Sequence, residues 1–229
     1  MAWVVSDKEY GGAEIEPGTT LDGFHLADFR STGSIYNRSN PPVHNALEPT
    51  AAMPEPSALV SNSSFVRIRA LNMRFSGVHF DHVVFEDLTA KDITFTGCRF
   101  EHVTFRGKIR GNIWFRPSTS DKDGDTVALV TARHAEVDWA IDIREAEFGE
   151  FCDRGGVPLA KVRRDPRHQV IVDPDRIDRE IWATVDKTDA PYLWVEHEAQ
   201  LTVAPMSRRY PRDAWIAVVD ELRRLGQVD

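Results

Sequence analysis

Only two cysteines, Cys98 and Cys152, occur in 229 residues, so neither a disulfide framework nor a cysteine-rich zinc site can be assembled. No apolar run approaches the roughly 18 residues of a membrane-spanning helix. The opening Met-Ala-Trp-Val-Val-Ser-Asp-Lys-Glu is too short and too acidic to read as a signal peptide, and the expectation is a cytoplasmic protein. Positive charge is also in deficit: 28 Lys and Arg face 36 Asp and Glu, a net charge of −8. Direct nucleic-acid binding, which needs clustered cations against phosphates, is not expected. There is no His-Glu-x-x-His, nucleophile elbow, Walker loop or dinucleotide fingerprint. No catalytic residue and no cofactor is therefore assigned, and the chain is expected not to be an enzyme.

What remains is unevenly distributed. Residues 1–62 carry a net −5, residues 63–117 a net +4, and residues 118–229 a net −7. The basic middle also holds a repeat. Counting by fives from 65 gives Phe65, Ala70, Phe75, Phe80, Phe85, Ala90, Phe95, Phe100, Phe105, Arg110 and Phe115, a register holding eight of the twelve phenylalanines. Two positions earlier the series runs Ser63, Ile68, Met73, Val78, Val83, Leu88, Ile93, Cys98, Val103, Lys108 and Ile113.

Neither a helix nor a long strand produces a period of five, since their apolar positions recur every 3.6 and every 2 residues. Two inward side chains separated by one outward residue make a very short strand, and the next two residues must turn the chain. Segments such as Ile93-Thr94-Phe95-Thr96-Gly97 and Val103-Thr104-Phe105-Arg106-Gly107 resemble the motif of the pentapeptide-repeat family. That resemblance implies a right-handed quadrilateral β-helix with twenty residues per coil. The expected fold class is mainly β: this β-helix, an irregular α+β C-terminal region and a terminal α-helix.

A twenty-residue coil predicts three stacked columns: Phe75, Phe95 and Phe115; Phe65, Phe85 and Phe105; Phe80 and Phe100. Lys108 and Arg110 fall at inward positions, where unpaired charge is costly, so the coil is expected to distort near 108–111. Three segments follow. Residues 1–62 hold a first partial coil at 20–31 and a Pro-rich excursion at 37–62. Residues 63–155 form the β-helix, with a polar loop at 117–125 and the period regained at Ile143 and Ala146–Gly149. Residues 156–229 form a capping and interaction region, with strands expected at Gln169–Val172, Ile181–Val185 and Tyr192–Val203 and a helix over Pro211–Leu225.

Several residues carry candidate chemistry. His82 and His102 lie one coil apart beside Asp81 and Glu101, a corner able to ligate a divalent cation, but the expected reading is a solvated polar corner and no metal is assigned. Asp121–Asp125 resembles the start of a calcium loop but lacks its glycine and its final glutamate. The basic run Lys161, Arg163, Arg164, Arg167 and His168 surrounds Asp165-Pro166 and is the candidate partner-binding turn. The aromatics Trp182, Tyr192 and Trp194 are of a type found as interface anchors, but burial is their expected role. The leading functional expectation is a bacterial protein-binding scaffold, an immunity or self-protection protein that neutralises a toxin or other macromolecular partner without touching a membrane. The alternative is the DNA-mimicking, topoisomerase-protecting branch that the family resemblance brings with it, and an enzyme with a site in the C-terminal region is a remote third.

Overall fold

The computed structural model describes residues 4–6, 12–15, 20–30, 35–37, 58–117, 125–153, 155–190, 193, 200–204 and 211–229. The protein is mainly β, with 47% strand and 20% helix among the described residues. Most of the Pro-rich excursion, residues 118–124 of the polar loop, and Tyr192 and Trp194 lie outside the described residues.

Short strands pair in parallel at a constant spacing. Phe85 sits beside Phe65 on one side and Phe105 on the other. Phe95 likewise lies between Phe75 and Phe115, and Phe80 pairs with both Val60 and Phe100. Each partner is twenty residues away. Strands Ala58–Ser61, Val78–Asp81 and Arg99–Glu101 belong to a four-stranded sheet, and the other repeats enter an eleven-stranded one. Burial alternates along them, in–out–in, as the repeat demands. The inward phenylalanines form the three predicted columns, with stacked ring centroids 5.0–5.9 Å apart.

The chain turns between strands on residues in the left-handed region. Gly23, Asn62, His82 and His102 share one corner, and Asp28, Arg67, Asp87 and Gly107 the next, all with φ between 48° and 68°. At the first corner each backbone N–H reaches the following layer, as in Asn62 to Asp81 O and His82 to Glu101 O, both 2.9 Å. Glycine, Asn, Asp and His are the residues that tolerate this conformation best.

The expected distortion at 108–111 is present, and its form differs from the simple register. Glu86 pairs with Arg106, twenty residues on, but Thr89 pairs with Arg110, twenty-one on, and Asp92 returns to a spacing of twenty with Asn112. One extra residue is accommodated as a bulge. Lys108 and Arg110 consequently point to solvent, and Ile109, fully buried, fills the position beneath Leu88. The inward assignment of Lys108 and Arg110 is thus corrected: a one-residue slip exchanges the faces. Gly111 has φ +114°, and a Cβ there would meet Ala90 O at 1.8 Å. Gly111→Ala should therefore destabilise the protein by about 2–3 kcal/mol through strain and backbone displacement. An unchanged urea midpoint would mean that no bulge exists there.

The parallel layers continue on both sides of the repeat block. Thr20–Asp22 and His25–Ala27 pair with Leu59–Ser61 and Ser64–Val66, thirty-nine residues later. Ile141–Asp153 pairs with Val103–Arg116, and Ile143, Ala146, Phe148 and Phe151 join the same core. Val162–Arg163 pairs onto that last strand. Between the two long strands lies a helix, Asp125–Arg133, which the repeat did not announce. Its end covers the edge of the small sheet. Buried His134 accepts from Phe100 N–H at 3.1 Å through Nε2 and contacts Val130 O at 2.8 Å through Nδ1, while Arg133 donates to Gly97 O at 3.0 Å.

The C-terminal unit packs beside these layers. Gln169–Val172 pairs antiparallel with Gln200–Val203, which is the described part of the expected Tyr192–Val203 strand. Leu201 and Val203 enter the phenylalanine core, whereas Val170 and Val172 enter a second core with Trp215, Val219 and Leu222 from helix Arg212–Arg224. Of Ile181–Val185, read as a strand from its β-branched content, all but Val185 lie instead in helix Arg179–Thr184, which Val185 ends. Asp178 caps that helix, accepting from Glu180 N–H at 2.9 Å and Ile181 N–H at 3.2 Å, and local capping overrides the strand preference.

Candidate functional site

Two groups of side chains outside the core carry chemistry, and they meet at one corner. His82 and His102 occupy successive left-handed positions, and their rings lie 4.5 Å apart. Trp139 comes next, its ring centroid 4.9 Å from that of His102 and tilted by 54°, and the guanidinium of Arg163 lies 4.3 Å over the Trp139 ring. The result is a continuous outer column of two imidazoles, an indole and an exposed cation. Carboxylates flank it. Asp81 Oδ1 is 2.6 Å from His82 Nδ1, and Asp138 Oδ1 is 2.5 Å from His102 Nε2. The contact with His102 holds the Asp138 carboxyl below its usual range.

Of the four residues the sequence offered as cation ligands, three come together: one donor atom each from Asp81, His82 and His102 lies within 4.8 Å of the others. Glu101 is drawn elsewhere, 3.3 Å from Arg99 and 3.4 Å from His79. Asp138, which sequence reasoning missed, stands beside His102 instead. Its position is set by the segment between the two long strands, and no twenty-residue count reaches it.

The basic turn is divided in its duties. Lys161 Nζ donates to Val137 O at 2.6 Å, which ties the turn to the segment carrying Trp139. Arg164 donates to Gln169 O at 2.8 Å and pairs with Asp229, with only 18% of its side chain exposed. Reversing its charge would leave these groups unpaired, so Arg164 serves the fold rather than an outward-facing surface. Arg167, 81% exposed, pairs with Asp165 at 2.8 Å, and their contact helps to pull the Asp165 carboxyl down to about 2. His168 is mostly covered, and burial lowers its pKa. Arg167 and His168 also line a shallow open depression with Arg212, Asp213, Ile216 and Asp220. Arg163 and Arg167 are thus the members of the run that face outward.

The remaining candidates read as structure. Burial pushes the Cys98 thiol up to about 12, far from the thiolate a nucleophile needs. Trp182 is half-buried beneath Lys187, whose Nζ lies 5.1 Å from the ring centroid. The Asp121–Asp125 run falls almost wholly outside the described residues, and Asp125 begins the helix. Among the described residues, no helix is long and apolar enough to cross a membrane. Comparison of the chain with protein-family models, curated proteins and solved structures finds no match.

Proposed function

We propose that the protein is a non-catalytic protein-binding scaffold of the pentapeptide-repeat class, which neutralises a macromolecular partner such as a toxin. In this reading the parallel layers are coils of a right-handed quadrilateral β-helix. The twenty-residue pairing and the left-handed corners five residues apart support it. The observation that carries the functional reading is the filled interior. Nine phenylalanines with at most 1% exposure occupy the space between the strands, so recognition falls to the outside. There the column ending in half-buried Trp139 and exposed Arg163 supplies the aromatic and arginine groups most often found as interface anchors. DNA mimicry is disfavoured because the repeat block carries a net +4, and purified gyrase should be neither inhibited nor protected by micromolar protein in a supercoiling assay.

Affinity capture from the native host, repeated with purified components, tests the reading. The double variant Arg163→Glu, Arg167→Glu should stay folded, losing only the surface contacts of Arg163 with Trp139 and of Arg167 with Asp165. It should bind the captured partner at least about tenfold more weakly, the equivalent of 1.4 kcal/mol, with a shallower salt dependence. Failure to recover any stoichiometric partner, or unchanged capture by the variant, would overturn the proposal.

A further inference from the structure

We infer that Asp81, His82 and His102 form a binding site for a divalent first-row transition ion, with Asp138 as the group that orients His102. This inference is independent of the protein-binding reading. Two imidazoles and a carboxylate are a donor set suited to zinc and its neighbours rather than to calcium or magnesium.

The arrangement around His102 points to a ligand more specifically than proximity does. Asp138 engages Nε2 at 2.5 Å, and a carboxylate accepts hydrogen bonds, so Nε2 carries the proton. In the neutral imidazole Nδ1 is then the lone-pair nitrogen. That atom is buried from solvent and has no hydrogen-bond partner among the described residues. A carboxylate on one imidazole nitrogen with an electron-pair donor at the other is the outer-shell pattern of metal-bound histidines: it fixes the tautomer and strengthens the donor. A buried nitrogen acceptor with nothing to accept is otherwise a cost, which an ion would relieve.

The backbone supplies the rest. His82 and His102 are held in the same left-handed conformation in adjacent layers, with φ of 52° and 54°, which brings their side chains out of one corner in parallel. Asp81 precedes His82 on the strand and extends the donor set along the same edge. Two bonds of about 2.1 Å cannot hold donors further apart than about 4.2 Å, so the present spread of up to 4.8 Å must contract slightly. The His82 side chain is 57% exposed and has the room to rotate. Ring rotation would exchange its contact with Asp81 for a shared ion. Three protein donors leave at least one coordination position for water.

The test uses the full chain, freed of metal with a chelator. Zinc titration followed by calorimetry should show one saturable site in the micromolar range. Imidazole nitrogen NMR signals of two of the eight histidines should shift on zinc addition, and they should be His82 and His102. His82→Asn and His102→Asn retain a side chain that tolerates the left-handed backbone, and each should weaken zinc by at least about tenfold. Asp138→Asn should weaken it by about 10–100-fold, while a tetrahedral cobalt absorption band seen in the wild type should fade in all three. Absence of saturable zinc binding below millimolar concentration would overturn the inference. So would zinc-induced shifts at other histidines, a reading on the wild-type protein that holds even if a variant fails to fold.

Discussion

Phe95→Ala is expected to destabilise the protein by about 3–5 kcal/mol, the range for a large aromatic removed from a packed core. Phe95 is 1% exposed. It stacks between Phe75 at 5.3 Å and Phe115 at 5.1 Å, and meets Phe80, Phe85, Phe100 and Phe105 edge-on or tilted at 5.5–5.9 Å. Removing it opens a cavity that all three columns border, and parallel strands pinned on both sides cannot collapse into it. Lys91 is an apt control because its side chain is exposed on a strand of the same layer, and Lys91→Ala should cost under about 0.5 kcal/mol. Asp87, although it lies at a turn, is unsuitable: its Oδ1 accepts from Lys108 N–H at 2.8 Å, next to the bulge. Urea denaturation at constant pH measures both variants, and equal midpoints for Phe95→Ala and Lys91→Ala would show the interior to be wrongly assigned.

The fold was legible wherever the chain repeats itself. A period of five with phenylalanine at one position specifies the strand faces, whereas the partners followed from the twenty-residue spacing that the family resemblance implies, which the observed pairing of every fourth repeat matches. Legibility failed where one residue is inserted. Lys108 and Arg110 announced a conflict, but the resolution depended on Ile109 replacing them inside and on Gly111 passing close to Ala90. The alternation of Gly107, Ile109 and Gly111 was the available signal. Helix Asp125–Arg133 was missed for a different reason. It packs through its end, with His134 serving the sheet edge, and such a tertiary role leaves little trace in periodicity.

The candidate site divides along the same line. His82 and His102 could be paired from the twenty-residue spacing that the family resemblance implies, because no insertion lies between them. Asp138 and Trp139 could not, since Val103 pairs with Ile141 thirty-eight residues on rather than twenty, and the excursion between them hides the count. Arg163 was legible as a basic residue on a turn, yet its place over Trp139 depends on the later pairing of Ile141 with Val162. One corner therefore gathers residues from three separated parts of the chain, of which the repeat accounts for only the first.

The last expected result concerns pH, where two buried groups oppose each other. Burial pushes the His134 pKa down to about 4 from 6.5, because a charged imidazole would lose hydration between Phe100 and the helix end. The unfolded chain then binds the proton more tightly, so this group's contribution rises by about 3 kcal/mol as pH climbs from about 4 to about 6.5. Asp153 behaves in the reverse sense. Burial drives its carboxyl up to about 7 from 3.8, against the hydrogen bonds its Oδ1 accepts from Gly156 at 2.9 Å and Val157 at 3.3 Å. Here the folded chain binds the proton more tightly, and the contribution falls by about 4 kcal/mol between about pH 4 and pH 7. From about pH 4 to 6.5 the two slopes nearly cancel in the wild type. Asp153→Asn keeps an oxygen for both N–H groups and removes the falling slope, so its stability relative to wild type should increase with pH by about 3 kcal/mol across that window. His134→Gln keeps an acceptor for Phe100 and removes the rising slope, so its stability relative to wild type should decrease by a similar amount. Taking differences from wild type cancels every other titrating group that the substitutions leave unaltered. Urea denaturation at half-unit steps of pH reads both curves, and variant profiles parallel to wild type would show that neither group is held away from its ordinary pKa.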